Sequence, residues 1–183
     1  MSRIVFLLEE RSMKVLLEGL LPRVMPELRF LCVVHEGKND LEKSIPRKLR
    51  QWREPGARFV IVRDNDGADC TRLKATLVGL VPEERRAQTL VRIACQELEA
   101  WYFGDPDSLA LAFSDPALRT IGTRARFREP DRIQEPSSAL AALAPSFQTV
   151  SGARAMGRLL DPTRNTSRSF QVFCEGLRRL STR

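Results

Sequence analysis

The chain has 183 residues and 43% hydrophobic content, which suits one domain of ordinary size with a true core. Its 30 Lys and Arg against 23 Asp and Glu give a formal charge of +7, a balance that favours phosphate-rich partners and equally keeps a protein soluble. Cys32, Cys70, Cys95 and Cys174 lie far apart with no Cys-x-x-Cys pair and no adjacent histidine, so neither a zinc site nor a disulfide framework is indicated and a reducing, cytoplasmic setting is expected. No apolar run approaches the roughly 18 residues of a membrane span, and the N-terminal run is broken by Glu9, so neither secretion nor membrane insertion is expected.

In chain order, the first element is a strand over Ile4 to Leu8 that ends on Glu9 and Glu10. Met13, Leu16, Leu17, Leu20 and Leu21 then recur at helical spacing. A second strand follows over Phe30 to Val34, and a second helical stripe over Leu41, Ile45, Leu49 and Trp52, with Asp40 placed to cap it and Pro46 predicting a kink or a split. Phe59 to Val62 form the third strand; Asp69 is placed to cap a third helix carrying Leu73, Leu77 and Leu80. Leu90 to Ala94 form the fourth strand. Runs that are apolar on both faces, alternating with helices, predict an open, mainly parallel four-stranded α/β sheet of Rossmann-like type, helices on both faces and right-handed crossovers. Residues 1–103 form this core. Residues 104–183, rich in Pro and Arg, are expected to add short helices and loops and a closing helix over Ser169 to Leu180, with Phe170, Phe173, Leu177 and Leu180 on its inner face.

Ligands of such sheets bind beyond the carboxyl ends of the strands. Glu9 and Glu10 follow the first strand, Asp64, Asp66 and Asp69 the third, and Glu97 and Glu99 the fourth. Acids so gathered need a compensating cation or raised pKa values, and all-oxygen donors favour Mg²⁺ or Mn²⁺. Each acid alone also has an ordinary reading as a helix cap or a partner of the helix dipole, and Glu10 is expected to be solvated. The loop "DNDGAD" is no EF-hand, because its glycine stands fourth and Ala75 occupies the twelfth position. His35, the single histidine, reads as a capping or satisfied residue, and Lys38 can meet a phosphate. Two residues of helix mean roughly 200° of rotation, so Glu97 and Glu99 should diverge; Glu97, on the side of Trp101, is expected to face inward and Glu99 outward.

Together, "LLEERS", "HEGKNDL", "RDNDGADC" and "QELEAWYFGD" resemble the TOPRIM domain of topoisomerases, primases and overcoming-lysogenization-defect (OLD) nucleases. More closely, they resemble a bacterial family of unknown function with a TOPRIM-like core, often encoded beside AAA-type ATPases in defence loci. The resemblance implies a Mg²⁺-dependent (or Mn²⁺-dependent) nuclease or nickase. Carried over, Glu9 would be the proton carrier and Asp64 and Asp66 the metal ligands; the placement of the other charges adds one of Glu97 and Glu99 as a ligand and Arg11, Lys38, Arg124 and Arg126 as contacts to phosphate or nucleic acid. Where TOPRIM relatives have glycine and a second acid after the glutamate, this chain has Glu10 and Met13. The alternative is a non-catalytic TOPRIM-like module that docks on an ATPase and regulates it.

Overall fold

The computed structural model describes residues 3–182. Strands β1 (Ile4–Leu8), β2 (Phe30–Val34), β3 (Arg58–Asp64) and β4 (Thr89–Ala94) form one parallel sheet in the order β2-β1-β3-β4. Helices α1 (Arg11–Val24), α2 (Lys38–Gln51) and α3 (Cys70–Leu80) connect them. The chain steps outward from β1 to β2, then back past β1 to β3 and on to β4. Because crossovers are right-handed, this reversal moves the connecting helix to the other face. The apolar side chains divide accordingly: Ile4, Phe6, Leu8, Val60 and Val62 pack with α1, and Val5, Leu7, Phe59 and Ile61 with α2 and α3. The same reversal opens a crevice at the carboxyl ends of β1 and β3, where Glu9 and Asp64 lie.

β1 and β3 are buried on both faces as their composition predicts. β2 departs from that expectation: it is an edge strand, and Leu31 and Val34 stand 39% and 37% exposed. Two helix expectations are also corrected. α2 begins two residues before Asp40, with Gly37 at its cap, and the Asp40 carboxylate reaches back to accept a hydrogen bond from the Glu36 amide at 3.0 Å. α2 runs unbroken through Pro46, so the proline neither splits nor ends it. Asp69 does cap α3, accepting from the Arg72 amide at 2.7 Å.

Beyond β4 come α4 (Glu99–Phe103), α5 (Pro106–Ala112), 3-10 turns over 116–132, α6 (Pro136–Leu143), α7 (Thr149–Leu159) and α8 (Arg168–Ser181). Helix α8 presents Phe170, Phe173, Leu177 and Leu180 to the core, as predicted, and lies along β4, where Arg92 Nε donates to the Val172 carbonyl at 3.0 Å. α7 was not anticipated: it packs on α1 across Gly19 and Gly157, whose missing side chains let the two backbones approach closely. Arg23 of α1 then caps α7, donating to the carbonyls of Gly157 (3.0 Å) and Leu160 (3.3 Å). No helix among the described residues is long and apolar enough to cross a membrane.

A Cβ at Gly157 would stand 2.6 Å from the Leu16 carbonyl oxygen, a backbone atom that cannot step aside, whereas one at Gly79 meets nothing within 4 Å. Gly157→Ala is expected to destabilise the fold by about 1–3 kcal/mol through overpacking, and Gly79→Ala, in an open helical position, to stabilise it by roughly 0.5–1 kcal/mol. Urea denaturation of both variants checks this; a neutral Gly157→Ala would contradict the close α1–α7 contact.

Candidate functional site

The register of the central strands decides which acid meets which partner. Leu8 lies opposite Val62, so continuing one step places Glu9 abreast of Arg63. Both then fall on the face that carries α2, because Val5 and Leu7, like Phe59 and Ile61, point that way. Arg63 Nε stands 3.7 Å from Glu9 Oε2, and its Nη1 is paired with Glu42 of α2. Arg63 is buried, and neither its Nε nor Glu9 Oε2 has a hydrogen-bond partner among the described residues. Burial raises the Glu9 carboxyl, with Asp66 adding to the rise and Arg63 opposing it.

Asp64 is one residue further along β3 and so projects to the opposite face. There it accepts a hydrogen bond from the Leu98 amide at 3.2 Å, and burial, then the charges of Glu10, Glu99 and Glu9, hold its carboxyl well above the ordinary range. Glu10 is not freely solvated as expected: half-buried at the cap of α1, it takes the hydroxyl hydrogen bond of Ser12. Glu99 is 3% exposed, its Oε1 has no hydrogen-bond partner among the described residues, and burial pushes its carboxyl up to about 7. Tyr102, one turn on in α4, is fully buried with an unpartnered hydroxyl; burial raises it well above its usual value, and Glu99, Glu10 and Asp64 raise it further.

The expected orientation of the last two acids is therefore reversed. Glu99 faces inward, while Glu97 is half-buried and its Oε2 accepts from the Ser137 amide at 2.7 Å, in the first turn of α6. The reason is local. Residues 95–98 are neither helix nor strand, Gln96 takes a left-handed φ of +67°, and α4 begins only at Glu99. Asp66 is exposed, at φ +48°, with its amide donating to the Gln96 carbonyl at 3.0 Å and its carboxylate 3.6 Å from Lys38 Nζ. Asp66, Gln96 and Glu135 are left-handed non-glycine residues, and all three line one polar cavity of about 370 Å³ together with Glu97 and Gln134. Such backbone strain gathers where geometry is held for a purpose.

Arg11 is exposed at the first position of α1, next to Glu10 in the chain. Arg124 and Arg126 lie on the surface of the 3-10 region, Arg126 over the Phe127 ring, and no described ion pair joins either of them to the carboxylates. His35 is buried and only half satisfied: Nδ1 bonds the Leu8 carbonyl at 2.9 Å, and Nε2 has no partner. Sequence reasoning overlooked Arg63 and Tyr102. The signal for Arg63 was a cation set directly between the apolar run "FVIV" and Asp64, still within the length of a strand; for Tyr102 it was the single tyrosine of the chain, one turn from Glu99.

Among the described residues no three of His, Cys, Asp and Glu are gathered closely enough to hold a metal ion as they stand. In donor chemistry the site nonetheless fits Mg²⁺ or Mn²⁺. Its donors are all oxygen, and the buried Glu99 Oε1 has no partner among the described residues.

The family described as a domain of unknown function, DUF4276, matches residues 8–178. The chain belongs to that family. Solved structures with a similar fold include the C-terminal region of the Xanthomonas campestris pv. campestris OLD protein (TM-score 0.55, 14% identity, 99% of this chain and 97% of that one). The C-terminal region of the Burkholderia pseudomallei OLD protein is similar too (TM-score 0.53, 15% identity, 98% of each chain). At such identities the likeness is one of fold. No curated protein sequence matches the chain.

The Glu99 environment has a pH signature. Its folded value of about 7 exceeds the ordinary 4.5, so the native state keeps a proton that the unfolded chain has already released, and stability falls as pH rises through that window. The full penalty, roughly 3 kcal/mol, is reached above about pH 7. In the presence of a chelator, Glu99→Gln should therefore be more stable than the parent at about pH 8 and converge with it at about pH 4.5. The raised Asp64 and Glu9 act in the same direction in both proteins. Parallel pH profiles for parent and variant would refute the burial of an ionisable Glu99.

Proposed function

We propose that this DUF4276 chain is a TOPRIM-type, Mg²⁺- or Mn²⁺-dependent phosphodiester hydrolase acting on nucleic acid. The observation that carries the reading is the gathering of Asp64, Glu10 and Glu99 on one face of the sheet edge, where the buried Glu99 Oε1 has no partner among the described residues, with Glu9 beside Arg63 on the other face. Asp64 and Glu99 would hold the metal, with Asp66 joining them by turning its exposed carboxylate from Lys38, and the ion when bound would neutralise the acids and polarise a phosphodiester oxygen. Glu9 lies on the far side of β3 from Asp64 and is not needed as a ligand. Its raised carboxyl, next to Arg63, suits it to carry a proton. Lys38, already close to Asp66, and Arg11 at the start of α1 would meet the phosphate, and the exposed Arg124 and Arg126 would extend the contact along the backbone.

One observation favours the non-catalytic alternative, a module that docks on an ATPase: Arg63 and Lys38 already offset part of the acidic charge. Metal binding separates the two. Calorimetry with Mn²⁺ should show a site in the parent that is lost in Asp64→Asn. Plasmid, single-stranded DNA or tRNA should be cleaved in Mg²⁺ or Mn²⁺, with Asp64→Asn reduced by roughly 10²-fold or more. An absence of both binding and cleavage would refute the hydrolase and leave the docking module.

A further inference from the structure

Cys70 and Cys95 come from the two loops that carry the acids. Cys70 opens α3 directly after the loop of Asp64 and Asp66, and Cys95 follows β4 directly before Gln96 and Glu97. Their sulfurs stand 3.4 Å apart, against roughly 2.05 Å in a disulfide. The backbone around them is already stitched: the Asn65 amide donates to the Ala94 carbonyl at 3.2 Å, and the Asp66 amide to the Gln96 carbonyl at 3.0 Å. Both cysteines are half-buried and line an open cavity of about 360 Å³ that also holds Lys74, Arg92, Arg168 and Asp131, so a small oxidant reaches them from solvent, although burial, the Cys70 sulfur and the Asp131 charge push the Cys95 thiol up to about 12.

We propose that Cys70 and Cys95 are a reversible oxidation site, a dithiol that a peroxide converts to a disulfide clasping the two acid-bearing loops. One thiolate sulfur attacks a peroxide oxygen, the O–O bond breaks, and the departing hydroxide takes a proton and leaves as water. The second sulfur then displaces the resulting sulfenic hydroxyl: the S–S bond forms, the S–O bond breaks, and a second water leaves. Two thiols are oxidised by two electrons and the peroxide is reduced. In a reducing compartment the dithiol is the resting form, and the disulfide is formed only while oxidant persists. The effect of the clasp on hydrolysis rests on the function proposed above; the bond itself does not.

The test is peptide mapping of the whole protein after a modest excess of hydrogen peroxide. The expected product has a mass lower by two hydrogens, a Cys70–Cys95 linked peptide, free Cys32 and Cys174, and full reversal by dithiothreitol. Hydrogen exchange should slow over residues 64–70 and 95–99 in the oxidised form. In Cys70→Ser or Cys95→Ser the remaining partner should stop at a sulfenic acid that dimedone traps. Linkage to Cys32 or Cys174, irreversible sulfinic acid in place of the linked peptide, or an unreacted pair would overturn the assignment. A disulfide that forms in a protein without nuclease activity would uphold the site and count only against the hydrolase.

Discussion

Carboxylates delivered by neighbouring parallel strands to one crevice repel one another, and the most consequential features of this structure are the ways in which that repulsion is contained. The pleat does the first part. Glu9 and Asp64 stand one register step apart on adjacent strands, so they project to opposite faces of the sheet and meet different partners. Glu9 falls beside Arg63, a buried guanidinium shared with Glu42. Asp64 falls among Glu10, Glu99 and Tyr102, where no described ion pair offsets the acids and burial and mutual repulsion raise the carboxyls instead. One edge therefore contains two electrostatic regimes, a paired acid and a group of acids raised by burial and repulsion.

The second face depends on where α4 starts, and the chain invests much of its polar bonding there. The Asn165 amide donates to the Trp101 carbonyl, the Trp101 indole donates to Ser169, and Asp131 accepts from Ser167 and Ser169 at the start of α8. Asp105, fully buried, accepts from Ser108, Arg164 and the Asp161 amide. These bonds tie the middle of the short helix and the turn after it to α8 and to the segment before it. They explain why "QELEAWYFGD" is so dense in distinctive residues: Glu99 belongs to the candidate site, while Trp101 and Asp105 hold the element that aims it.

Much of this was legible from residue order alone. Apolar runs marked β1 and β3, and parallel topology then required Glu9 and Asp64 to share an edge, whatever the details of packing. Periodicity found the inner face of α8 for the same reason: a buried face repeats. The inward acid of the pair Glu97 and Glu99 was hidden because the left-handed turn at Gln96 obeys neither helical nor strand periodicity. Asp40 was misplaced because a carboxylate in the first turn satisfies amides from inside the helix as well as from its cap. α7 was hidden because its contact with α1 depends on what is missing, the side chains of Gly19 and Gly157, and hydrophobic pattern does not register an absence.

The separation of the acids bears directly on what the site is able to do. Were all of them turned to one face, a single cation would satisfy them together and no group would be left to move a proton. With Glu9 held apart by the pleat, a cation bound on the Asp64 face would leave Glu9 to Arg63. The opposing influences on Glu9, burial raising its carboxyl and Arg63 lowering it, then become a means of adjustment, since any movement of α2 that draws Arg63 toward Glu42 would leave Glu9 more basic. Lys38, on the first turn of the same helix, pairs with Asp66. Helix α2 thus carries a partner of Arg63 and the cation nearest Asp66, so a phosphate that engaged Lys38 would act on both acids through one rigid element.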